Sequence, residues 1–152
     1  MTNIKNIIIT ILTISLCIRI YVYNNPRVDF DKEDEGGIAF YKGTWAEVLT
    51  KAKQENKLIF LDIYATWCGP CKKLKKYTFA SKKTGLYFNT HFINISLDGE
   101  EGAGAALATF YEITNYPSLL FINSEGKVVS RTDGYMGDKE LINYGKLALQ
   151  KP

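Results

Sequence analysis

Histidine and cysteine are scarce in this sequence, which has one histidine, His91, and three cysteines among 152 residues. Structural zinc sites normally take four Cys, His or carboxylate ligands. Beyond one close pair of cysteines, the chain offers only His91 and scattered acids. We therefore expect no metal site within one chain, and a cluster that bridges two copies of the chain is the metal-binding alternative.

A large excess of one charge is also lacking, because 19 Lys and Arg against 16 Asp and Glu leave a net charge of +3. Nucleic-acid binders usually show a strong basic excess, so we expect no nucleic-acid partner. The lysines are nevertheless clustered, with six between Lys72 and Lys83 and no acid among them. This run is either a solvated helix face or a positive field that favours a thiolate and steers acidic partners.

The apolar run near the N-terminus is short: residues 7–18 follow Lys5 and are ended by Arg19. A basic start before a run of this length is the layout of a secretory signal. A spanning helix needs roughly 17–25 residues, a length reached here only by including Arg19. No alanine precedes Ala39, so an Ala-x-Ala cleavage site is lacking. We expect residues 1–23 to be a signal peptide or an uncleaved signal-anchor.

Residues 24–37 are acidic, poor in large apolar side chains and closed by two glycines. This composition predicts a flexible linker between the N-terminal segment and one globular domain, residues 38–152. The N-terminal segment places that domain in the periplasm or on the outer face of the cytoplasmic membrane. Cys17 is a candidate for lipid attachment, although Leu16 before it is bulkier than a lipoprotein signal normally accepts.

From residue 38 onward, helical and strand patterns alternate. Thr44 and Glu47 have the spacing of a capping box, and the apolar run 57–65 is typical of a strand buried on both faces. Alternation predicts parallel strands, and a closing hairpin adds an antiparallel edge. The fold class is therefore α/β, with one central mixed sheet flanked by helices on both faces. Helices are predicted at 44–54, from the cysteines onward, 82–89, 105–111 and 139–149, and strands at 57–65, 92–97, 118–122 and 127–131.

Cys68 and Cys71 are separated by two residues and lie between the buried strand and the lysine-rich helix. Such a pair can close a small disulfide ring or open to a dithiol, so it can exchange two electrons. A Cys-x-x-Cys at a strand-to-helix junction is a far stronger redox signal than the same residues in a loop. An inert pair or a permanent disulfide is the structural alternative.

Several matches in the expected order carry a family resemblance. The pentapeptide at 67–71, Trp-Cys-Gly-Pro-Cys, is that of the thioredoxin active site, and Asp62 precedes its first cysteine by six residues. Tyr116-Pro117 opens a strand, and Gly134 follows the hairpin. Over roughly residues 40–149 the chain resembles the thioredoxin family, and it is most similar to exported bacterial members such as the C-terminal domain of the membrane reductase DsbD.

The resemblance implies a thioredoxin-like fold and a role for each matching residue. Cys68 is the expected nucleophile, because a helix N-terminus stabilises its thiolate, and Cys71 is the resolving thiol. Asp62 is the expected proton-transfer group, since burial raises a carboxyl pKa. No cofactor is expected beyond the Cys68–Cys71 redox disulfide. The expected substrate-binding residues are Trp67, Gly69, Pro70, Tyr116, Pro117 and Gly134.

Two departures from the family pattern stand out. The lysine that usually partners the buried acid aligns with Asn94, and the proline that kinks the active-site helix aligns with Lys76. The first departure bears on proton transfer by Asp62, and the second on the shape of the active-site helix.

The expected function is reduction of disulfides in protein substrates, since Gly-Pro between the cysteines is typical of reducing family members. The expected partners are disulfide-bonded proteins, a thiol electron donor such as a membrane reductase, and the membrane itself through the N-terminal segment; we expect a monomer. Two alternatives remain open: oxidation or isomerisation of disulfides, and a binding module that keeps the fold without turnover.

Overall fold

The computed structural model describes residues 3–151 and contains the predicted elements in the predicted order. Its helices are α1 Ile4–Asn24, α2 Trp45–Glu55, α3 Gly69–Lys73, α4 Lys82–His91, α5 Gly102–Phe110 and α6 Asp138–Ala148, and a π-helical segment, Leu74–Phe79, continues α3. Its strands are β1 Leu58–Tyr64, β2 Phe92–Asp98, β3 Ser118–Ile122 and β4 Val128–Asp133.

One mixed sheet organises the domain, with strand order β2-β1-β3-β4. β1 and β2 are parallel, and Asp62 lies opposite Ser96 in their register. The β3–β4 hairpin joins β1 in the antiparallel direction. The predicted α/β fold, with its parallel pair and antiparallel edge, is therefore confirmed.

The two faces of the sheet pack against different sets of helices. Because side chains alternate along a strand, β1 sends Leu61 to one face and Phe60 to the other. The aliphatic face, covered by α2 and α5, buries Val48, Ala52, Ile59, Leu61, Ile63, Ile93, Ile95, Leu107, Ala108, Leu120 and Ile122. The aromatic face, covered by the π-helical segment, α4 and α6, buries Ile38, Phe40, Phe60, Leu74, Phe79, Phe88, Phe92, Leu119, Phe121, Leu141 and Ala148.

The lysine-rich run after the cysteines is not wholly the solvent-facing surface that its composition predicts. Lys76 is exposed, but Lys75 is buried and only 7% exposed. A π turn widens the helix by one residue per hydrogen-bonded ring, which changes the direction in which successive side chains point. The π-helical segment includes Lys76, the residue that the resemblance aligns with the family proline.

Residues before the domain form a helix and an irregular segment. α1 has 21 residues with no buried side chain, and among residues 3–151 it alone is long and apolar enough to cross a membrane. Its end meets the domain, where the rings of Tyr23 and Tyr77 stack with centroids 5.4 Å apart. The segment predicted as a flexible linker contacts the domain as well, because Pro26 is buried and Phe30 stacks on Tyr64 at 4.0 Å.

Candidate active site

Cys68 and Cys71 form a disulfide at the start of α3. Cys68 is the N-cap residue, and its Sγ accepts a hydrogen bond from the Cys71 N–H at 3.1 Å. Pro70 lies in the first helical turn, where a missing N–H costs little. Both cysteines are buried, at 3% and 2% exposure. The sequence expectation that the pair lies between the sheet and a helix N-terminus is met.

The pair lies in a small apolar pocket at the carboxyl end of β1. Tyr64 and Ala65 are buried beside the two sulfurs, and Phe30 and Tyr116 pack against this cluster from outside. Burial raises the pKa of the Tyr64 phenol to about 12, with nearby carboxylates adding to the effect. Tyr64 therefore stays neutral and supplies an apolar wall rather than a charge.

Trp67 stands beside the pair as an exposed surface residue, with 63% of its area accessible. Its indole N–H donates to both carboxylate oxygens of Glu100, at 3.1 and 3.0 Å. Its ring also meets Tyr116 edge to face, with centroids 6.1 Å apart. Trp67 is thus an oriented platform next to the disulfide rather than part of the core.

Tyr116, Pro117 and Gly134 join the site from the other side. The Tyr116–Pro117 peptide bond is cis, as the resemblance implies. Gly134 donates its N–H to the Pro117 carbonyl at 2.8 Å and has a φ of +94°, a conformation that favours glycine. Tyr116 therefore packs against the cluster that contains the cysteine pair, and Gly134 is joined to the same segment through Pro117.

Asp62 is a buried acid on β1, with 2% of its area exposed. Its Oδ2 accepts a hydrogen bond from the Ser96 hydroxyl at 2.7 Å, and its Oδ1 has no hydrogen-bond partner among residues 3–151. Burial raises the pKa of Asp62 to about 7, against the opposing effects of the Ser96 hydrogen bond and the Lys75 charge. A carboxyl with a pKa near neutrality can both accept and release a proton at physiological pH.

Asn94, the residue that the resemblance aligns with the family lysine, makes no hydrogen bond to Asp62. It lies opposite Phe60 in the register of β1 and β2. Its side-chain amide donates to Asn89 and to the Ala39 carbonyl. Ser96, two residues further along β2, is the cross-strand partner of the acid.

Gly69 allows a close approach to the start of α3. A Cβ at this position would lie 2.9 Å from Asn25 Oδ1 and 3.1 Å from the Asn24 carbonyl. The sequence assigns this approach to a substrate, whereas in the structure the chain's own N-terminal segment lies there. The Lys73 ammonium stabilises this contact by donating a hydrogen bond to Asn24 Oδ1 at 3.3 Å.

Sequence reasoning missed four contributors: Phe30, Lys75, Ser96 and Glu100. Ser96 has a detectable signal, since it occupies a polar position in an alternating strand. Glu100 lies in a loop of several acids, and nothing in that loop distinguishes it. Phe30 and Lys75 lie in segments whose composition indicates a linker and a solvated helix face.

In the part of the chain that the structure describes, the cysteine pair does not lie in a cluster of metal-ligating side chains. Within residues 3–151 no group of three or more His, Cys, Asp or Glu side chains is close enough to hold an ion. The third cysteine, Cys17, lies exposed on α1.

Comparison with known proteins gives the same family. The thioredoxin-like domain profile matches residues 45–148. The thiol:disulfide interchange protein DsbD of Pseudoalteromonas atlantica is 32% identical over 91 residues, which are 58% of this chain and 15% of that protein. The chain therefore spans only a small part of the length of such relatives.

Solved structures extend the comparison. A provisionally assigned disulphide-isomerase from Bacteroides thetaiotaomicron is 43% identical, with a TM-score of 0.67, over 80% of this chain and 98% of that one. The oxidised C-terminal domain of Neisseria meningitidis DsbD is 23% identical, with a TM-score of 0.60, over 72% of this chain and 99% of that one. The second likeness shows the fold alone. The chain belongs to the thioredoxin-like domain family and carries, at Cys68 and Cys71, the Cys-x-x-Cys pair of a thiol–disulfide oxidoreductase.

Proposed function

We propose that this protein reduces disulfide bonds in protein substrates through the Cys68–Cys71 dithiol. The observation that carries the exchange chemistry is the position of Cys68 at the N-cap of α3, where its sulfur accepts the Cys71 N–H. Unpaired N–H groups and the positive end of the helix dipole stabilise a thiolate there. A thiolate, rather than a thiol, is the nucleophile in disulfide exchange. The reducing direction is favoured by Gly69 and Pro70 between the two cysteines, a pair typical of reducing family members.

The reduced protein would act in two exchange steps. In the first, the Cys68 thiolate attacks one sulfur of the substrate disulfide, the substrate S–S bond breaks, and the other substrate sulfur leaves as a thiolate. In the second, Cys71 loses its proton and attacks Cys68 Sγ, which releases the second substrate thiolate. Two electrons pass to the substrate, the two thiolates take up protons, and the protein ends as the disulfide.

Asp62 would accept the Cys71 proton in the second step. Its pKa of about 7 leaves a substantial carboxylate fraction at neutral pH, so it can act as a base for a buried thiol. The Trp67 platform and the Tyr116–Pro117 edge would receive the substrate chain, with the Tyr116 backbone pairing in the manner of a strand. Gly134 supports that edge through its bond to Pro117.

The N-terminal residues would place the domain outside the cytoplasm. At 1.5 Å per residue, the 21 residues of α1 span about 32 Å, which matches a bilayer core of about 30 Å. In this proposal residues 1–23 are a signal peptide or signal-anchor, 24–37 connect it to the domain, and 38–152 form the catalytic unit. The electron donor is then a thiol, supplied by a membrane reductase, and the protein works as a monomer.

Insulin reduction by the full chain in detergent micelles tests the activity. We expect turnover with a dithiol donor, its loss in Cys68→Ser, and trapping of substrate proteins as mixed disulfides by Cys71→Ser. The Asp138→Asn variant, at the start of α6 and outside the residues assigned to the site, is the control and should behave as the unchanged protein. Full activity in Cys68→Ser would support the binding-module alternative instead.

Disulfide isomerisation is the second candidate, favoured by the 43% identity to the Bacteroides protein described as a disulphide-isomerase. Refolding of a scrambled multi-disulfide protein discriminates the two reactions. The redox potential gives the direction independently: a reductase should lie near the thioredoxin value of about −270 mV, and an oxidant near about −120 mV. A value close to the latter would overturn the reductase assignment.

Location is tested separately. Protease added to cells with a permeabilised outer membrane should digest the domain if it lies outside the cytoplasm, and the mass of the recovered chain shows whether residues 1–23 are removed. Protection from the protease while a cytoplasmic control protein is also protected would contradict the proposed location.

A further inference from the structure

The active-site disulfide is covered in part by a residue that lies outside the family domain. Cys68 is only 3% exposed, and Phe30 packs against the cluster that contains it. The rings of Phe30 and Tyr64 stack with their centroids 4.0 Å apart and their planes 4° apart. The family profile matches residues 45–148, so this cover is contributed by the chain's own N-terminal segment.

The same segment also lies against the residues between the two cysteines. Asn24 and Asn25 approach Gly69 so closely that a Cβ there would lie 2.9 Å from Asn25 Oδ1 and 3.1 Å from the Asn24 carbonyl. Both asparagines line one cleft together with Gly69 and Pro70. Gly69 and Pro70 are two of the residues that the resemblance assigns to substrate binding. The segment therefore lies in space that a substrate chain would need.

Lys73 on the active-site helix holds this end of the segment. Its ammonium lies 4.4 Å from the centroid of the Tyr23 ring and 4.5 Å from that of Tyr135. The same ammonium donates to Asn24 Oδ1 at 3.3 Å. Tyr135 directly follows Gly134. Lys73 thus joins the segment to the loop that carries the substrate-binding glycine.

The middle of the segment is attached to the domain by side chains alone. No backbone–backbone hydrogen bond joins residues 26–33 to the domain in the part of the chain that the structure describes. Segments with few backbone hydrogen bonds open at a low free energy, without unfolding the rest of the protein. The segment can therefore leave the active site while the domain stays folded.

The Cys68 sulfur needs such an opening in order to react. In disulfide exchange the attacking sulfur must approach the substrate sulfur to bonding distance, about 2 Å. Two aromatic residues pack against the cysteine cluster among residues 3–151, Phe30 and Tyr116. Tyr116 belongs to the cis-proline loop of the domain, whereas Phe30 belongs to the loosely attached segment. Phe30 is therefore the part of the cover that can move.

We propose that residues 23–30 form an intramolecular strap that occupies part of the substrate-binding surface, so that a protein substrate reaches Cys68 only by displacing the strap. The inference rests on the proposed reductase function and deepens it, because it names an internal competitor for the substrate. The apparent affinity for a substrate is reduced by the fraction of molecules in which the strap is open. The strap therefore raises KM and leaves kcat unchanged, since the chemistry takes place in the open form.

Insulin reduction by Phe30→Ala, in the full chain in detergent micelles, tests the strap at its covering residue. We expect KM to fall about fivefold at unchanged kcat, the change in an equilibrium constant that loss of one stacked aromatic pair produces. Phe110→Ala is the matched control, because it makes the same substitution at a position on α5 that is 72% exposed, and its KM should equal that of the unchanged protein. An unchanged or raised KM in Phe30→Ala would overturn the inference.

Lys73→Met tests the other end of the strap. It removes the contacts of the ammonium with Tyr23 and Asn24, so we expect KM to fall about threefold. Lys72→Met removes one positive charge from the same helix and controls for the effect of charge on insulin binding. Equal changes of KM in the two lysine variants would contradict the role of Lys73 in holding the strap.

Displacement of the strap can be measured without turnover. In the double variant Cys17→Ser, Cys71→Ser, Cys68 is the remaining thiol and couples to a short peptide activated as its thionitrobenzoate disulfide. The Cys68 thiolate bonds to the peptide sulfur, the activated S–S bond breaks, and thionitrobenzoate leaves as a coloured thiolate. Trypsin cleavage after Arg27, within the strap, should become several-fold faster on coupling, because proteolysis follows the population of the open form. The uncoupled double variant is the control, and equal cleavage rates would overturn the inference.

The strap and the reductase function fail in different ways. Absence of insulin reduction in both the unchanged protein and Phe30→Ala would refute the reductase function, and the cleavage rate after Arg27 would still decide whether a bound peptide displaces the strap. Normal insulin reduction together with an Arg27 site that stays protected in the coupled protein would overturn the strap alone.

Discussion

The two faces of the central sheet are equally buried but chemically different. On the aliphatic face β1 presents Ile59, Leu61 and Ile63 to α2 and α5, and every member of that cluster is an aliphatic side chain. On the aromatic face the same strand presents Phe60 and then Asp62, an acid buried as deeply as its apolar neighbours.

This difference separates stability from chemistry. The buried side chains of the aliphatic face gain free energy from burial, and none of those found in residues 3–151 carries a titratable group. On the aromatic face, burial of the Asp62 carboxyl costs free energy of folding. The same face carries α3 with Cys68 and Cys71. We infer that the first face supplies rigidity and the second supplies reactivity, and four substitutions test this division.

Asp62→Asn should have the largest effect, about 4 kcal/mol of unfolding free energy that depends on pH. The folded-state pKa of about 7 exceeds the ordinary value of 3.8, so the native state binds more protons between those values. The contribution of Asp62 to the stability of the oxidised protein is therefore greatest below about pH 4 and falls by about 1.4 kcal/mol per pH unit until about pH 7. The variant should lose this dependence, as measured by urea unfolding from pH 4 to 8. Parallel pH curves for both proteins would contradict the raised pKa.

Leu61→Ala, one residue away on the aliphatic face, should cost about 3 kcal/mol at all pH values. Leu61 is fully buried, and the cavity left by a Leu→Ala change adds to the lost transfer energy. The rate of insulin reduction per folded molecule should stay unchanged. Slowed insulin reduction by folded Leu61→Ala protein would show that the two faces are coupled.

Thr44→Ala removes the capping box of α2, which also packs on the aliphatic face. Thr44 Oγ1 accepts the Glu47 N–H at 3.3 Å, and Glu47 Oε2 accepts the Thr44 N–H at 2.7 Å. Loss of the cap should cost about 1 kcal/mol with no change in insulin reduction, measured by thermal unfolding beside an activity assay. The exposed substitution Thr50→Ala in the same helix is the matched control.

Gly69→Ala should have the smallest effect on stability, below about 1 kcal/mol, because the added methyl group meets mainly the flexible end of Asn25. It should displace residues 24 and 25 from α3 and increase the rate at which protease cuts the segment 24–37. Gly137→Ala, where nothing lies within 4 Å of the added atom, should leave that rate unchanged. Equal protease sensitivity of both variants would show that Gly69 does not seat the segment.

The regular elements of the domain were predictable because their signals are local. Alternating hydrophobicity located β2, the capping box located the start of α2, and the apolar run located β1. The cysteine pair and its position before a helix follow from the same patterns. The direction in which each side chain points is less local: the π turn carries Lys75 inward although its neighbours in sequence resemble a solvated surface.

The sequence alone determined the family, the order of the elements and the Cys68–Cys71 pair, because periodicity and a short motif are written in neighbouring residues. Only the tertiary structure decided what surrounds the pair. It placed Ser96 opposite Asp62, bonded Trp67 to Glu100, and seated residues 24–34 against the active-site helix. These contacts join residues distant in the chain, and the raised pKa of Asp62 results from burial, opposed by the Ser96 hydrogen bond, neither of which has a signature in composition.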